Sequence, residues 1–74
     1  MDYSYDRKMG ENIRGIRIKR SLTQEALAAK LQTLDCDLTR SALAKIEVGQ
    51  RHIYASEIRA LTIALNVTYD DLFV

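Results

Sequence analysis

One spacing recurs four times in this chain and leaves room for little besides short helices. An apolar residue precedes a threonine or tyrosine, and a second apolar residue follows five positions after the first: Leu22-Thr23 with Leu27, Leu38-Thr39 with Leu43, Ile53-Tyr54 with Ile58, and Val67-Thr68 with Leu72. At a helix start the residue before the N-cap packs on the fourth helical residue, and a threonine hydroxyl at the cap satisfies an amide that the first turn leaves bare. Four such starts, with one amphipathic stretch ahead of them, predict five helices.

That first stretch runs from Met9 to about Arg20, where Met9, Ile13, Ile16 and Arg20 are separated by four, three and four residues. Gly15 weakens it slightly, and residues 1–8 are expected to form a flexible arm ahead of a single domain, 9–74. Thr23 caps a second helix that should reach Leu31, or extend toward Leu34. The third spans Arg40 to Val48 and ends at Gly49, which can take the left-handed conformation. A fourth opens near Tyr54, with Ser56 as a rival cap, carries Ile58, Leu61 and Leu65 inward and stops at Asn66. Thr68 opens a last short turn in which Asp71, at the third helical position, makes a near capping box. With no proline, repeat or low-complexity tract, the chain reads as a compact all-α five-helix bundle.

Size and composition remove other classes. A chain of 74 residues buries only about 60% of its unfolded surface, so a large active-site cavity is not expected. Cys36 is the single cysteine and His52 the single histidine; they cannot form a disulfide or a four-ligand zinc site, and a reducing cytoplasm fits. No apolar run approaches the roughly 20 residues that span a bilayer, and the segment Met1-Asp2-Tyr3-Ser4-Tyr5-Asp6 lacks a signal peptide's apolar core. No nucleophile–base pair, pocketed carboxylate pair or glycine-rich phosphate loop is visible, so no enzyme activity is expected. Nor is any cofactor, metal, membrane contact or small-molecule effector. The net charge is only +1, yet all eleven basic residues lie between Arg7 and Arg59 against six acidic ones, a local surplus of five.

The helices at Thr23 and Thr39 follow one another as a helix-turn-helix does, with the second able to enter a DNA major groove. On a helical wheel of Arg40 to Val48, Leu43 and Ile46 centre the inner face, with Ala42 and Glu47 at its edges. Ser41, Ala44, Lys45 and Val48 centre the outer face, and Arg40 leads it. Arg40 suits a bidentate contact with guanine, Ser41 can bond to several bases, Ala44 can touch a thymine methyl, and Lys45 can reach guanine or phosphate. Gln24, at the positive start of the second helix, is placed for a phosphate. Gln50, Arg51 and His52 follow the reading helix in a loop suited to clamping the backbone, with Arg51 the stronger candidate. Glu47 sits where an unpaired carboxylate would be costly, and Arg17 can meet it from the first helix as a structural ion pair.

These residues resemble the Cro and phage-repressor type of helix-turn-helix regulators, the xenobiotic-response-element (XRE) family. The likeness rests on Ile13-Arg14 and Arg17; on Leu22-Thr23-Gln24-Glu25 with Leu27-Ala28; and on Arg40-Ser41, Lys45-Ile46-Glu47 and Gly49. It continues in Ala64-Leu65-Asn66-Val67 and Asp71-Leu72-Phe73, so that it covers Gly10 to Phe73. The resemblance implies a lambda-repressor-like DNA-binding domain that controls transcription, usually as a dimer on a double-stranded DNA operator. It implies DNA contact at Gln24, reading by Arg40, Ser41 and Lys45, and a buried pair between Arg17 and Glu47. One segment departs from the pattern: Gln32-Thr33-Leu34-Asp35-Cys36-Asp37-Leu38 is about five residues too long for the simple turn. The expected function is a sequence-specific regulator, most readily a repressor. The alternative is a protein-interaction module, antitoxin-like or bridging, built on the same bundle. Ile63 lies off the inner stripe of the fourth helix, and Tyr69, Phe73 and Val74 gather nearby, which suggests a homodimer interface.

Overall fold

Threonine hydroxyls open three of the five helices in the computed structural model, which describes residues 4–73. Thr23 Oγ1 accepts from the Ala26 amide at 3.0 Å and starts α2 (Gln24–Thr33), and Thr39 Oγ1 accepts from Ala42 at 3.1 Å and starts α3 (Arg40–Glu47). Thr68 exchanges bonds with Asp71 to start α5 (Tyr69–Leu72): its hydroxyl accepts from the Asp71 amide, and the Asp71 carboxylate accepts from the Thr68 amide at 2.9 Å. Each such cap is worth about 1 kcal/mol. Tyr54 starts α4 (Ala55–Leu65) without a side-chain bond of its own; Glu57 reaches back to accept from the Tyr54 amide at 3.0 Å. α1 spans Ser4–Lys19.

The helix ends share one device. Ser21, Asp35, Gly49 and Asn66 have φ of 57°, 58°, 76° and 56°, all left-handed. In each case the next amide bonds five residues back, as Leu22 does to Arg17, Cys36 to Leu31, Gln50 to Lys45 and Val67 to Thr62. This is the Schellman closure, which satisfies carbonyls the helix end would leave bare. Three of these turns also send an apolar side chain back to the core, since Leu22, Cys36 and Val67 all pack on it.

The core lies where the five helices converge. Ile13, Leu27, Leu31, Leu38, Leu43, Ile46, Leu61, Leu65 and Leu72 are essentially inaccessible, each worth about 1.5–3 kcal/mol in transfer from water. α1 packs on α3, α4 and α5, and α2 on α3 and α4. The closest approach joins α1 to α3 at Gly10, where any Cβ would collide with the Ile46 carbonyl. Among the described residues no helix is long and apolar enough to cross a membrane.

One expectation is corrected. Of the flexible arm expected over residues 1–8, Ser4 to Lys8 belong instead to α1, and the remaining three residues lie outside the described ones. Nothing in Ser4 to Lys8 breaks a helix, Asp6 suits the positive end of the first turn, and Met9 is buried one turn on. Tyr5 is the one large apolar residue of the added turn and is itself exposed, so no apolar rhythm announces it. In the long segment before α3, the expected extension of the second helix toward Leu34 is present. α2 takes two of its residues by continuing to Thr33, Asp35 closes the helix, and Cys36 and Leu38 are buried at 9% and 1% exposure.

Candidate functional site

α3 is fastened from behind by one carboxylate. Arg17 Nε and Nη2 donate to the two oxygens of Glu47 at 2.8 and 2.9 Å, and Arg17 Nη1 donates to the Leu22 carbonyl at 2.7 Å. One guanidinium thus joins α1, the turn before α2, and α3. Both partners are buried, at 9% and 2% exposure. Hydrogen bonding to Glu47 pushes the Arg17 guanidinium above its ordinary value against the opposing effect of burial, so it stays charged at any physiological pH. The ion pair expected from the sequence is therefore present and bidentate.

With Leu43, Ile46 and Glu47 turned inward, the opposite face of α3 is free. Arg40, Ser41, Lys45 and Val48 are exposed and Ala44 is half-buried at the edge of the same face. Arg40 lines an open cleft together with Arg17, Thr23, Gln24 and Glu25. That cleft brings the start of α2 beside the start of α3. Gln24 is half-buried there, and its Nε2 donates to Glu47 Oε1 at 3.2 Å. The first amides of α2 lack intrahelical partners and carry the positive end of the helix dipole, a combination that favours an anion.

Arg51 is placed differently from the other candidates. Its Nη1 and Nη2 donate to the two Glu57 oxygens at 2.8 and 2.9 Å, and Nη1 also donates to the His52 carbonyl at 2.8 Å. Burial would push the Glu57 carboxyl up, but the bonds from Arg51 and from the Tyr54 amide hold it below its ordinary value. Arg51 also lies 5.7 Å from the centroid of the Tyr54 ring. It braces the loop between α3 and α4 and has its fork already occupied. His52 meets Asp6 of α1 at 3.4 Å and the Tyr54 ring edge-on at 5.2 Å. Sequence reasoning missed the Arg51–Glu57 link, although Glu57 stands three residues after the Tyr54 cap, the spacing from which a carboxylate reaches back.

The C-terminal candidates are exposed: Ile63 at 55%, Tyr69 at 50% and Phe73 at 40%. Val74 lies outside the described residues. Phe73 lines a shallow cavity with Tyr5, Lys8, Met9 and Leu72. Among the described residues no group of three or more His, Cys, Asp or Glu is arranged to hold a metal.

A family model described as helix-turn-helix matches residues 13–72. Among solved structures, the restriction-modification controller protein C.AhdI from Aeromonas hydrophila superposes with a TM-score of 0.85 and 32% identity, over 96% of each chain. The DNA-binding domain of BldD superposes with a TM-score of 0.82 over the full length of both chains, at 18% identity, a likeness of fold. No curated protein matches the chain.

Proposed function

Because the chain belongs to the XRE-type helix-turn-helix family of DNA-binding transcription regulators, we propose that it recognises a specific duplex operator by laying α3 in the major groove. The observation that carries this reading is the row Arg40, Ser41, Ala44 and Lys45 on the outer face of a helix whose inner face is locked by Arg17 and Glu47. A rigid backing matters because base contacts tolerate little misplacement. Arg40 and Ser41 stand at the helix start, the part of a recognition helix that reaches base edges. Arg40 takes a guanine, Ser41 and Lys45 bond to neighbouring groups, and Ala44 accepts a thymine methyl. Gln24 and the α2 amides hold a phosphate across the cleft. Arg51 contributes by holding the loop after α3 through Glu57.

The protein acts as a cytoplasmic repressor by occupying its operator as a homodimer, with no cofactor or small-molecule effector. Two copies joined near Ile63, Tyr69 and Phe73 place two α3 helices on inverted half-sites.

Selection of bound duplexes from a random pool, followed by binding curves on the enriched site, tests the reading. Arg40→Ala is expected to lose about 1–3 kcal/mol and relax preference at one base position, whereas Gln24→Ala weakens every sequence alike. Equal loss on all sequences for Arg40→Ala would make it a phosphate contact. A pool with no enrichment would favour the protein-interaction module instead.

A further inference from the structure

We propose that Val48 reads a thymine methyl group at the far end of α3 from Arg40; the proposal rests on the DNA-reading function above. Val48 is 56% exposed and takes no part in the apolar cluster that holds the helices together. It follows Ser41 by seven residues, Ala44 by four and Lys45 by three, so it continues the outward stripe those residues form. From Arg40 to the C-cap Val48 the chain rises about 12 Å, and a helix of that length lying along the major groove keeps its outward residues facing base edges. The only apolar group that groove offers is the C5 methyl of thymine.

The side chain is also pre-set. The Gly49 amide donates to the Ile46 carbonyl at 3.1 Å and the Gln50 amide to the Lys45 carbonyl at 2.9 Å, closing the helix directly after Val48. Gly49 itself lies against Arg7 of α1 so closely that a Cβ there would stand 2.9 Å from the Arg7 Cα. Val48 is thus presented from a backbone clamped on both sides, and its β-branched side chain has little rotamer freedom to lose on contact. Polar donors read one end of the half-site and a fixed apolar knob reads the other.

The full chain is tested on duplexes it enriches from a random pool, with each thymine replaced singly by deoxyuridine, which removes only the methyl. One position is expected to cost the native protein about fourfold in affinity, the worth of one buried methyl-sized group. Val48→Ala should bind the intact duplex about fourfold more weakly, show no further loss at that position, and match the native protein at all others. An unchanged melting midpoint would establish that the variant is folded. Deoxyuridine penalties identical in the two proteins, or an enriched site without thymine, would overturn the assignment while leaving the DNA function standing. Failure to enrich any duplex would overturn both.

Discussion

Gln24 Nε2 lies 3.2 Å from Glu47 Oε1, the same oxygen that accepts from Arg17 Nη2 at 2.9 Å. A residue at the open cleft and a residue of the buried pair therefore share one acceptor. The carboxylate that fixes α3 on α1 also orients the amide proposed to meet a phosphate.

Glu47→Ala leaves the Arg17 guanidinium buried without its partner and frees Gln24. Removing one side of a buried pair costs roughly 3 to 5 kcal/mol, a large part of what a domain of this size holds. The expected result is a fall in melting temperature of at least about 12 °C, or loss of the folded state. An unchanged midpoint would show that the pair does not form in solution.

Two glycines of α1 should respond to alanine in opposite directions. At Gly10 a Cβ meets backbone, the carbonyl of Ile46, so α1 and α3 must move apart or the variant must unfold. A cost above about 2 kcal/mol is expected, as for overpacking against an element that cannot yield. Gly15 has no neighbour within 4 Å of such a Cβ, and Gly15→Ala should stabilise by about 0.5–1 kcal/mol through helix propensity. Denaturant midpoints of the two variants decide it, and a Gly10→Ala midpoint at or above native would refute the close approach.

Gly10 also marks where the sequence stops speaking. Caps and staples depend on neighbours within five residues, so the starts of α2, α3, α4 and α5 were legible from spacing alone, and the two faces of α3 followed from its period. The Arg17–Glu47 pair was legible because a carboxylate beside Leu43 and Ile46 needs a partner. The approach of Gly10 to Ile46 depends on how two helices cross, which no local pattern encodes. Ser4 to Lys8 showed no apolar period because Met9 is the first buried residue of α1 and nothing in the turn before it is buried. Asp35 hid a helix end because a left-handed aspartate reads as loop, and the Arg51–Glu57 link went unseen because it joins a loop to the next helix start.

Acid should unfold the protein in part through Glu57. Its carboxyl, buried yet held by Arg51 and the Tyr54 amide, titrates below its ordinary value of 4.5. A carboxyl depressed in the folded state adds stability that is present above the unfolded value and is lost as pH falls through the folded one. Asp71, bonded to the Thr68 amide and hydroxyl, is lowered in the same direction. Melting temperature should hold from about pH 7 to 5 and then fall, with Glu57 supplying at most about 1.4 kcal/mol per pH unit. Glu57→Gln should be less stable at neutral pH and show a shallower acid limb. An acid limb of native steepness in that variant would remove Glu57 from the account.

The proposed homodimer turns on apolar side chains that the fold does not cover. Ile63, Tyr69 and Phe73 are each at least 40% exposed, and the exposed Asp70 and Asp71 stand between the last two in the sequence. Exposed apolar side chains of this kind favour a two-fold contact in which each copy covers the other. Placed about 34 Å apart, one turn of duplex, the two α3 helices would read inverted half-sites. Ile63→Glu puts a charge into that contact without touching the core stripe of Leu61 and Leu65, so the monomer should keep its native melting behaviour. Sedimentation at micromolar concentration should show a dimer for the native chain and a monomer for Ile63→Glu, with binding to a palindromic site weakened by tenfold or more and its cooperativity lost, on the order of 1.4 kcal/mol or above. A native chain that sediments as a monomer and fills the two half-sites independently would sink the C-terminal dimer.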